Sequence, residues 1–384
     1  MGNEELFQVL RKALWNEGTA AGSWDVYREL SAQAVSALPG FILPSLQLPD
    51  DLLKHWKCQI YGQIMRHDAY MEAQQSLPVT VPYVILKGSS AAKYYPHPEL
   101  RAMGDIDVMT RREDYEAACR MLLENGYLET TDECDEHRAR HRKFEKNGFT
   151  VEIHILFASM NSPETTKRFD DLIISNITPS HVLPDLVNGM VLIEHINQHM
   201  EYGLGLRQII DFMMFAHQCL TEETWPAFEK MLEETGLKTL ALAVMRMCEI
   251  YLGLSSHPWC VRIDEKLCAH LMDYVLSCGD FGGKRERSAS LSTGRAEKLR
   301  HPIAALRELQ QRGEENWPGA KKPYLKPFAW LWQGCRFFRE TEDLAGGYAT
   351  ALQHSRLFDA LGVRREAEGL VYYEDGQYII KNKK

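Results

Sequence analysis

Two aspartates one residue apart, Asp105 and Asp107, close a stretch that starts with the apolar run Tyr83–Leu86 and turns at Gly88-Ser89. If Gly104 to Val108 forms a strand, its side chains alternate between faces. The two carboxylates then share one face, and Ile106 and Val108 the other. Like charges held side by side raise one another's pKa, and a shared proton, an adjacent cation or a bound divalent metal relieves the repulsion. An isolated pair of this kind is most often a solvated strand end. Here, strand, Gly-Ser turn, short helix and second strand form one unit in which turn amides and carboxylates can face a single cleft. Lys87 puts a cation at the mouth of the turn, where it can meet phosphate oxygens, neutralise the aspartates or face solvent. Gly88 tolerates backbone angles that other residues resist. Ser89 can cap the following helix while its exposed amides receive a phosphate. The Gly-x4-Gly-Lys-Ser/Thr spacing of a P-loop is absent.

A third carboxylate comes from Phe149 to Phe157, where Val151, Ile153 and Ile155 alternate with Glu152, His154 and Leu156. Beside the aspartate strand, this one would bring Glu152 to the same face. Three oxygen donors around a cleft can hold a hard cation such as Mg2+ and leave positions for substrate phosphates. His154 shares the Glu152 face and suits either a supporting and substrate-contacting role or a purely structural one.

These elements need a frame. Glu4 to Asn16 and Asp50 to Gln74 read as helices, the second with Leu53, Trp56, Ile60, Ile64 and Tyr61 on its apolar side. A helix with capping-box spacing at Thr110-Arg111-Arg112-Glu113 follows the aspartate strand and stops at Asn125-Gly126. Arg111 and Arg112 lie just beyond the acidic edge, facing phosphate or solvent. Leu183 to His199, Leu206 to Cys219, Trp225 to Thr235 and Leu237 to Leu252 supply further apolar stripes. Arg207 and Asp211 form an i,i+4 pair on one of them. An exposed pair of this kind contributes only a few tenths of a kcal/mol.

The expected organisation is a helical region over 1–77, a core over 78–180, a helical domain over 181–278 and a flexible basic linker over 279–300. A helical, aromatic-rich region over 301–384 carries Phe328, Trp330, Leu331, Trp332, Phe337 and Phe338 and ends in a hairpin around Glu374-Asp375-Gly376.

With 384 residues, 45% hydrophobic and 25% charged, the chain can bury a core without disulfides or metal. A net charge of -9 argues against wholesale wrapping of nucleic acid, although the basic cluster at 284–300 leaves a local groove open. Nine cysteines without CxxC pairs, no signal peptide and no membrane-length apolar run lead us to expect a cytoplasmic protein. Cys134 with His137 and His141, and His195 with His199, have zinc-like spacing. The first set lacks a clear fourth ligand and the second is not HExxH, so structural zinc is disfavoured for both.

Lys87-Gly88-Ser89, Tyr94-Tyr95-Pro96, Leu100-Arg101, Gly104-Asp105-Ile106-Asp107 and Val151-Glu152-Ile153-His154 together resemble an uncharacterised group of bacterial nucleotidyltransferases. That group belongs to the DNA polymerase beta-like superfamily, which also holds the aminoglycoside nucleotidyltransferases. The resemblance covers 80 to 160 firmly and reaches about 215 more weakly. It implies an α+β fold, a small mixed sheet with helices on one side, embedded in a largely helical protein. It further implies that the Lys87-Gly88-Ser89 turn binds an NTP, with ATP expected, and that Asp105 and Asp107 bind two Mg2+ ions. Glu152 would complete the metal site and accept a proton from the acceptor hydroxyl. Lys87 and Arg101 would balance phosphate charge, and His154, Arg207 and Asp211 would lie on the acceptor side.

The expected reaction moves a nucleoside monophosphate to a hydroxyl and releases pyrophosphate. Two alternatives stand beside it: a catalytically silent interaction module of the same fold, and an RNA (tRNA) nucleotidyltransferase of toxin type. The acceptor, the choice of NTP and the oligomeric state are open at the level of sequence.

Overall fold

A computed structural model describes residues 3–130, 140–284, 306–307, 310–311, 313–314, 317–322, 325–333, 344–363, 370–374 and 376–381. Cys134 and His137, residues 285–300 of the expected linker, and Phe337 and Phe338 lie outside the described residues. By its contacts the chain divides into two compact units, Met1–Lys284 with Leu361–Lys384, and Arg285–Ala360.

The larger unit is built on a mixed sheet of β1 (Tyr83–Leu86), β2 (Ile106–Thr110), β3 (Leu128–Thr130), β4 (His141–Lys146) and β5 (Phe149–His154), in the order β1-β2-β5-β4-β3. Only β2 and β5 pair in parallel; the other neighbours are antiparallel. The β4–β5 hairpin turns on Asn147 and Gly148, both at positive φ (53° and 79°), the backbone that suits a two-residue hairpin turn.

One face of the sheet is apolar. Ile106, Val108, Val151, Ile153 and Phe144 pack there against Tyr115, Ala118 and Leu122 of helix α5 (Tyr115–Glu124) and Tyr70 of helix α3 (Asp50–Gln75). The period-2 alternation therefore sends Asp107, Glu152 and His154 to the opposite face. Helix α3 buries Leu52, Trp56, Ile60 and Tyr70. Tyr61, which its sequence pattern put on the apolar side, is exposed, because the stripe runs through Leu52 at i, i+4 spacing.

The remaining helices of this unit are α1 (Glu4–Trp15), α2 (Trp24–Ala32), the short α4 (Gly88–Ala92), α6 (Pro163–Ile174), α7 (Asp185–His199), α8 (Leu206–Cys219), α9 (Trp225–Thr235), α10 (Lys238–Tyr251) and α11 (Glu265–Cys278). Helices α7 and α8 are buried along nearly their whole lengths and pack on each other. Gly189 makes that approach possible: a Cβ there would sit 2.1 Å from the Phe215 ring. The terminal strands β6 (Leu370–Glu374) and β7 (Gln377–Lys381) pair antiparallel, and β7 lies against α6. In the smaller unit, helix α12 (Leu344–Leu361) as far as Ala360 and short turns at Pro318–Lys321 and Lys326–Phe328 are described, and Trp317 stacks on Trp332 with ring centroids 6.0 Å apart. Among the described residues, no helix is long and apolar enough to cross a membrane.

Candidate active site

The polar face of β2 and β5 opens into a cavity of about 390 Å3. Parallel pairing sets Asp107 beside Glu152 and Met109 beside His154. His154 Nε2 lies 3.0 Å from Asp107 Oδ1 and 3.5 Å from Glu152 Oε2. One donor atom from each of Asp107, Glu152 and His154 falls within 4.8 Å of the others, which makes the group competent to hold a metal ion. All three residues are buried.

Cations surround these carboxylates. Lys87 Nζ is 2.8 Å from Asp107 Oδ1, and Lys143 Nζ is 3.3 Å from Glu152 Oε1. Burial alone would raise the Asp107 carboxyl, but Lys87 and the His154 hydrogen bond outweigh it and hold the group well below the ordinary carboxylate range. Asp105, just before β2 and at the rim of the cavity, behaves in the opposite way. Partial burial, then the charges of Glu152 and Asp107, push it up to about 6, against the smaller pull of Lys143 and Lys87. The two aspartates thus shift in opposite directions, Asp107 toward the ionised form and Asp105 toward the protonated one.

The turn that carries Lys87 is strained. Its φ of 53° and ψ of -148° belong to a region that glycine populates and residues with a Cβ resist. Gly88 follows at φ +44°, and a Cβ there would lie 2.6 Å from the Tyr70 hydroxyl. That hydroxyl donates to the Asp105 carbonyl at 3.2 Å, so α3 fixes the approach to β2. Gly88 lines the cavity. The Ser89 hydroxyl instead donates to Gln74 Oε1 at 2.6 Å, and Ser90 and Asn188 join the turn to α7.

Arg101, Arg207 and Asp211 have partners other than the sequence pattern proposed. Arg101 is buried and grips Asp211 through two bonds, Nε to Oδ1 at 3.0 Å and a second nitrogen to Oδ2 at 2.5 Å. The Tyr95 hydroxyl donates to the same Oδ1 at 2.7 Å. Arg207 reaches Asp280 at 3.0 Å instead of Asp211 four residues along its own helix. Arg101 and Arg207 both border the cavity, and each is tied to an acid.

The lining also includes His195, His199, Glu201, Tyr202 and Phe281, from the end of α7 and the segments near it. His195 is buried, and burial followed by the charges of His199 and Lys87 drives its pKa well down. His199 falls to about 3, again chiefly through burial. Both imidazoles are therefore neutral at pH 7. Arg140 donates to the Phe157 and Ala158 carbonyls at 2.9 and 2.8 Å, while Asp170 accepts from the amides of the same two residues. The Phe157 wall is thereby held from both sides, and Arg140 also donates to the Val371 carbonyl of β6 at 3.0 Å.

Lys143 was missed as a neighbour of Glu152, and His141 reaches the cleft from strand β4, opposite His154, and not from a flexible connection. Their signal was in the sequence: Asn147-Gly148 fixes a two-residue hairpin, and counting back from Lys146↔Phe149 gives Lys143↔Glu152 and His141↔His154. Asp280 and Phe281 gave no comparable signal.

A family model described as "Uncharacterised nucleotidyltransferase" matches residues 27–253, more than half of the chain. No curated protein and no solved structure matches it.

Proposed function

The chain belongs to the uncharacterised nucleotidyltransferase family, and we propose that it moves a nucleoside monophosphate from an NTP, with ATP expected, to a hydroxyl of an acceptor. In that reaction the acceptor oxygen bonds to the α-phosphorus, the bond to the β-phosphate oxygen breaks, pyrophosphate leaves, and the hydroxyl proton is taken up by a base. The observation that carries the reading is the meeting of Asp107 and Glu152 on adjacent parallel strands, in a cavity that Gly88 also lines.

Two carboxylates and an imidazole within 4.8 Å are a donor set that fits a divalent cation. Asp107, Glu152 and His154 would hold it, with Asp105 at the rim, and two Mg2+ ions are the expected complement. A cation bound there neutralises phosphate charge and makes the acceptor hydroxyl more acidic. Such help is needed, since Arg101 and Arg207 are each tied to an acid and Arg140 donates to carbonyls.

In this reading Lys87 and the backbone of Gly88 and Ser89 receive the triphosphate, and Glu152 takes the acceptor proton. Arg101 and Asp211 act by holding the segment that leads into Asp105. His195, His199 and Arg207 face the acceptor. We place the reaction in the cytoplasm, where NTPs are supplied.

The test is a profile of the four NTPs with pyrophosphate readout across sugars, aminoglycosides, proteins and tRNA, comparing the native chain with Asp105→Asn and Asp107→Asn. Divalent-cation-dependent release that both substitutions abolish is expected. Unchanged release in both variants overturns the assignment, and failure of the native chain to bind any NTP with Mg2+ favours a silent interaction module.

A further inference from the structure

Helix α3 buries one face and leaves the other open. Leu52, Trp56, Ile60 and Tyr70 are buried on the inner face, whereas Lys54, Cys58, Tyr61, Met65, Asp68 and Glu72 are all exposed on the outer one. We propose that this outer face is a dimer interface, on which the α3 helices of two copies of the chain pair antiparallel about a two-fold axis beside Gln63. The inference stands apart from the nucleotidyl-transfer reading and gives the chain a partner, a second copy of itself.

Three observations carry it. First, the exposed residues recur at alternating intervals of four and three, from Lys54 through Cys58, Tyr61, Met65 and Asp68 to Glu72. That is the spacing of a coiled-coil seam, and it runs down the outside of a 26-residue helix. Second, the middle of the seam is apolar and bare. Tyr61 and Met65, one helical turn apart, are 74% and 61% exposed, and large apolar side chains left together in water mark a contact surface. Gly62 and Ala69 alongside are small, and a Cβ at Gly62 would meet nothing, so a second helix can approach closely. Third, the charges on the seam are segregated, with Lys54 at its start and Asp68 and Glu72 at its end. Lys54 and Glu72 form no ion pair among the described residues.

Charge sets the orientation. Antiparallel pairing about Gln63 brings Lys54 against Glu72 of the second copy, Cys58 against its Asp68 and Tyr61 against its Met65, each contact made twice by symmetry. Opposite charges then close both ends of the seam, and a thioether meets an aromatic ring at its middle. Parallel pairing would set Lys54 on Lys54, Asp68 on Asp68 and Glu72 on Glu72, like charges at both ends. A seam with a short apolar centre and ionic ends belongs with the weaker interfaces, and salt should loosen it by screening. The simpler alternative, a helix face that is merely solvated, predicts a monomer at every concentration.

Sedimentation velocity of the full-length chain over a dilution series separates the two. Expected is a monomer–dimer equilibrium that shifts toward monomer as salt is raised. Lys54→Glu should weaken the dimer at least tenfold, since like charges then meet at both ends of the seam, and Tyr61→Ser should weaken it as much by removing the apolar centre. Exchanging both charges, Lys54→Glu together with Glu72→Lys, should restore the native dissociation constant, because the antiparallel register pairs these two positions with each other. Thermal unfolding shows whether each variant keeps the native fold. Should Lys54→Glu fail to fold, Glu72→Lys reads the same contact from its other side. A chain that stays monomeric throughout overturns the proposal. So does a dimer indifferent to Lys54→Glu and Tyr61→Ser, and so does one that the double exchange leaves weakened. Each of these results leaves nucleotidyl transfer standing.

Discussion

Lys87 Nζ sits 2.8 Å from Asp107 Oδ1, delivered there by a backbone with φ 53° and ψ -148°. A residue with a Cβ resists that conformation, so the turn carries a local energetic cost in order to aim an amine at a buried carboxylate. The pair joins the end of β1 to β2 in the lining of the cavity.

Separating the backbone from the amine needs two substitutions. Lys87→Ala and Lys87→Gly should lose nucleotidyl transfer to the same degree, since both lack the cation. Their stabilities should differ: Lys87→Gly relieves the strained φ and is expected to be more stable than Lys87→Ala by about 1 kcal/mol or more. Urea unfolding of both variants measures the gap, and equal midpoints would show that the turn is not strained.

Asp105 gives a pH-dependent result. Its folded pKa of about 6 lies above the ordinary 3.8, so the native state gains a proton that the unfolded chain lacks between those values. The ionised carboxylate therefore costs stability above pH 6, and the cost disappears as pH falls toward 3.8. Asp105→Asn should raise the melting temperature at pH 7.5, by an amount limited by solvent screening at the rim, and leave it unchanged near pH 4. Transfer activity should be lost at both. A melting temperature lowered at pH 7.5 contradicts this account.

His199 titrates in the other sense. Its pKa is depressed from 6.5 to about 3, so its neutral form supports the fold fully above pH 6.5, and stability is lost as pH falls through that window. The slope from one such group is at most about 1.4 kcal/mol per pH unit. Denaturant titrations between pH 7 and 4 should show a shallower acid loss in His199→Gln than in the native chain. Identical slopes would mean that the imidazole titrates alike in the folded and unfolded chain, so that its pKa is not depressed.

The Arg101–Asp211 pair is buried, and Asp211 also accepts from Tyr95. Asp211→Ala leaves a guanidinium buried without its partner, for which about 3–5 kcal/mol of stability should be lost. A loss below about 1 kcal/mol together with abolished transfer would return Arg101 and Asp211 to direct substrate contact.

Tyr378 of β7 donates to Asp170 at 3.1 Å and accepts from Arg112, whose guanidinium also lies over the Tyr373 ring at 5.1 Å. Through Asp170 this hairpin supports the amides of Phe157 and Ala158. Tyr378→Phe should lose about 1 kcal/mol of stability and raise KM more than it lowers kcat. An unchanged KM would confine the hairpin to a structural role.

The α+β class came from the family resemblance, whereas the alternation that puts Asp107 and Glu152 on one face and the register of the β4–β5 hairpin were legible in the chain itself. Each rests on local stereochemistry: a strand repeats every two residues, and Asn147-Gly148 admits few hairpins. The charge pairings were not legible. Arg207 meets Asp280, which is 73 residues away, instead of Asp211 one helical turn on. Arg101 meets Asp211 across 110 residues. The placement of His154 between two carboxylates needed β5 to lie parallel against β2, which a long connection through α5, β3 and β4 permits without requiring. Periodicity says which face a side chain takes. Which charge waits there is decided by the docking of whole elements, and local sequence does not encode that docking.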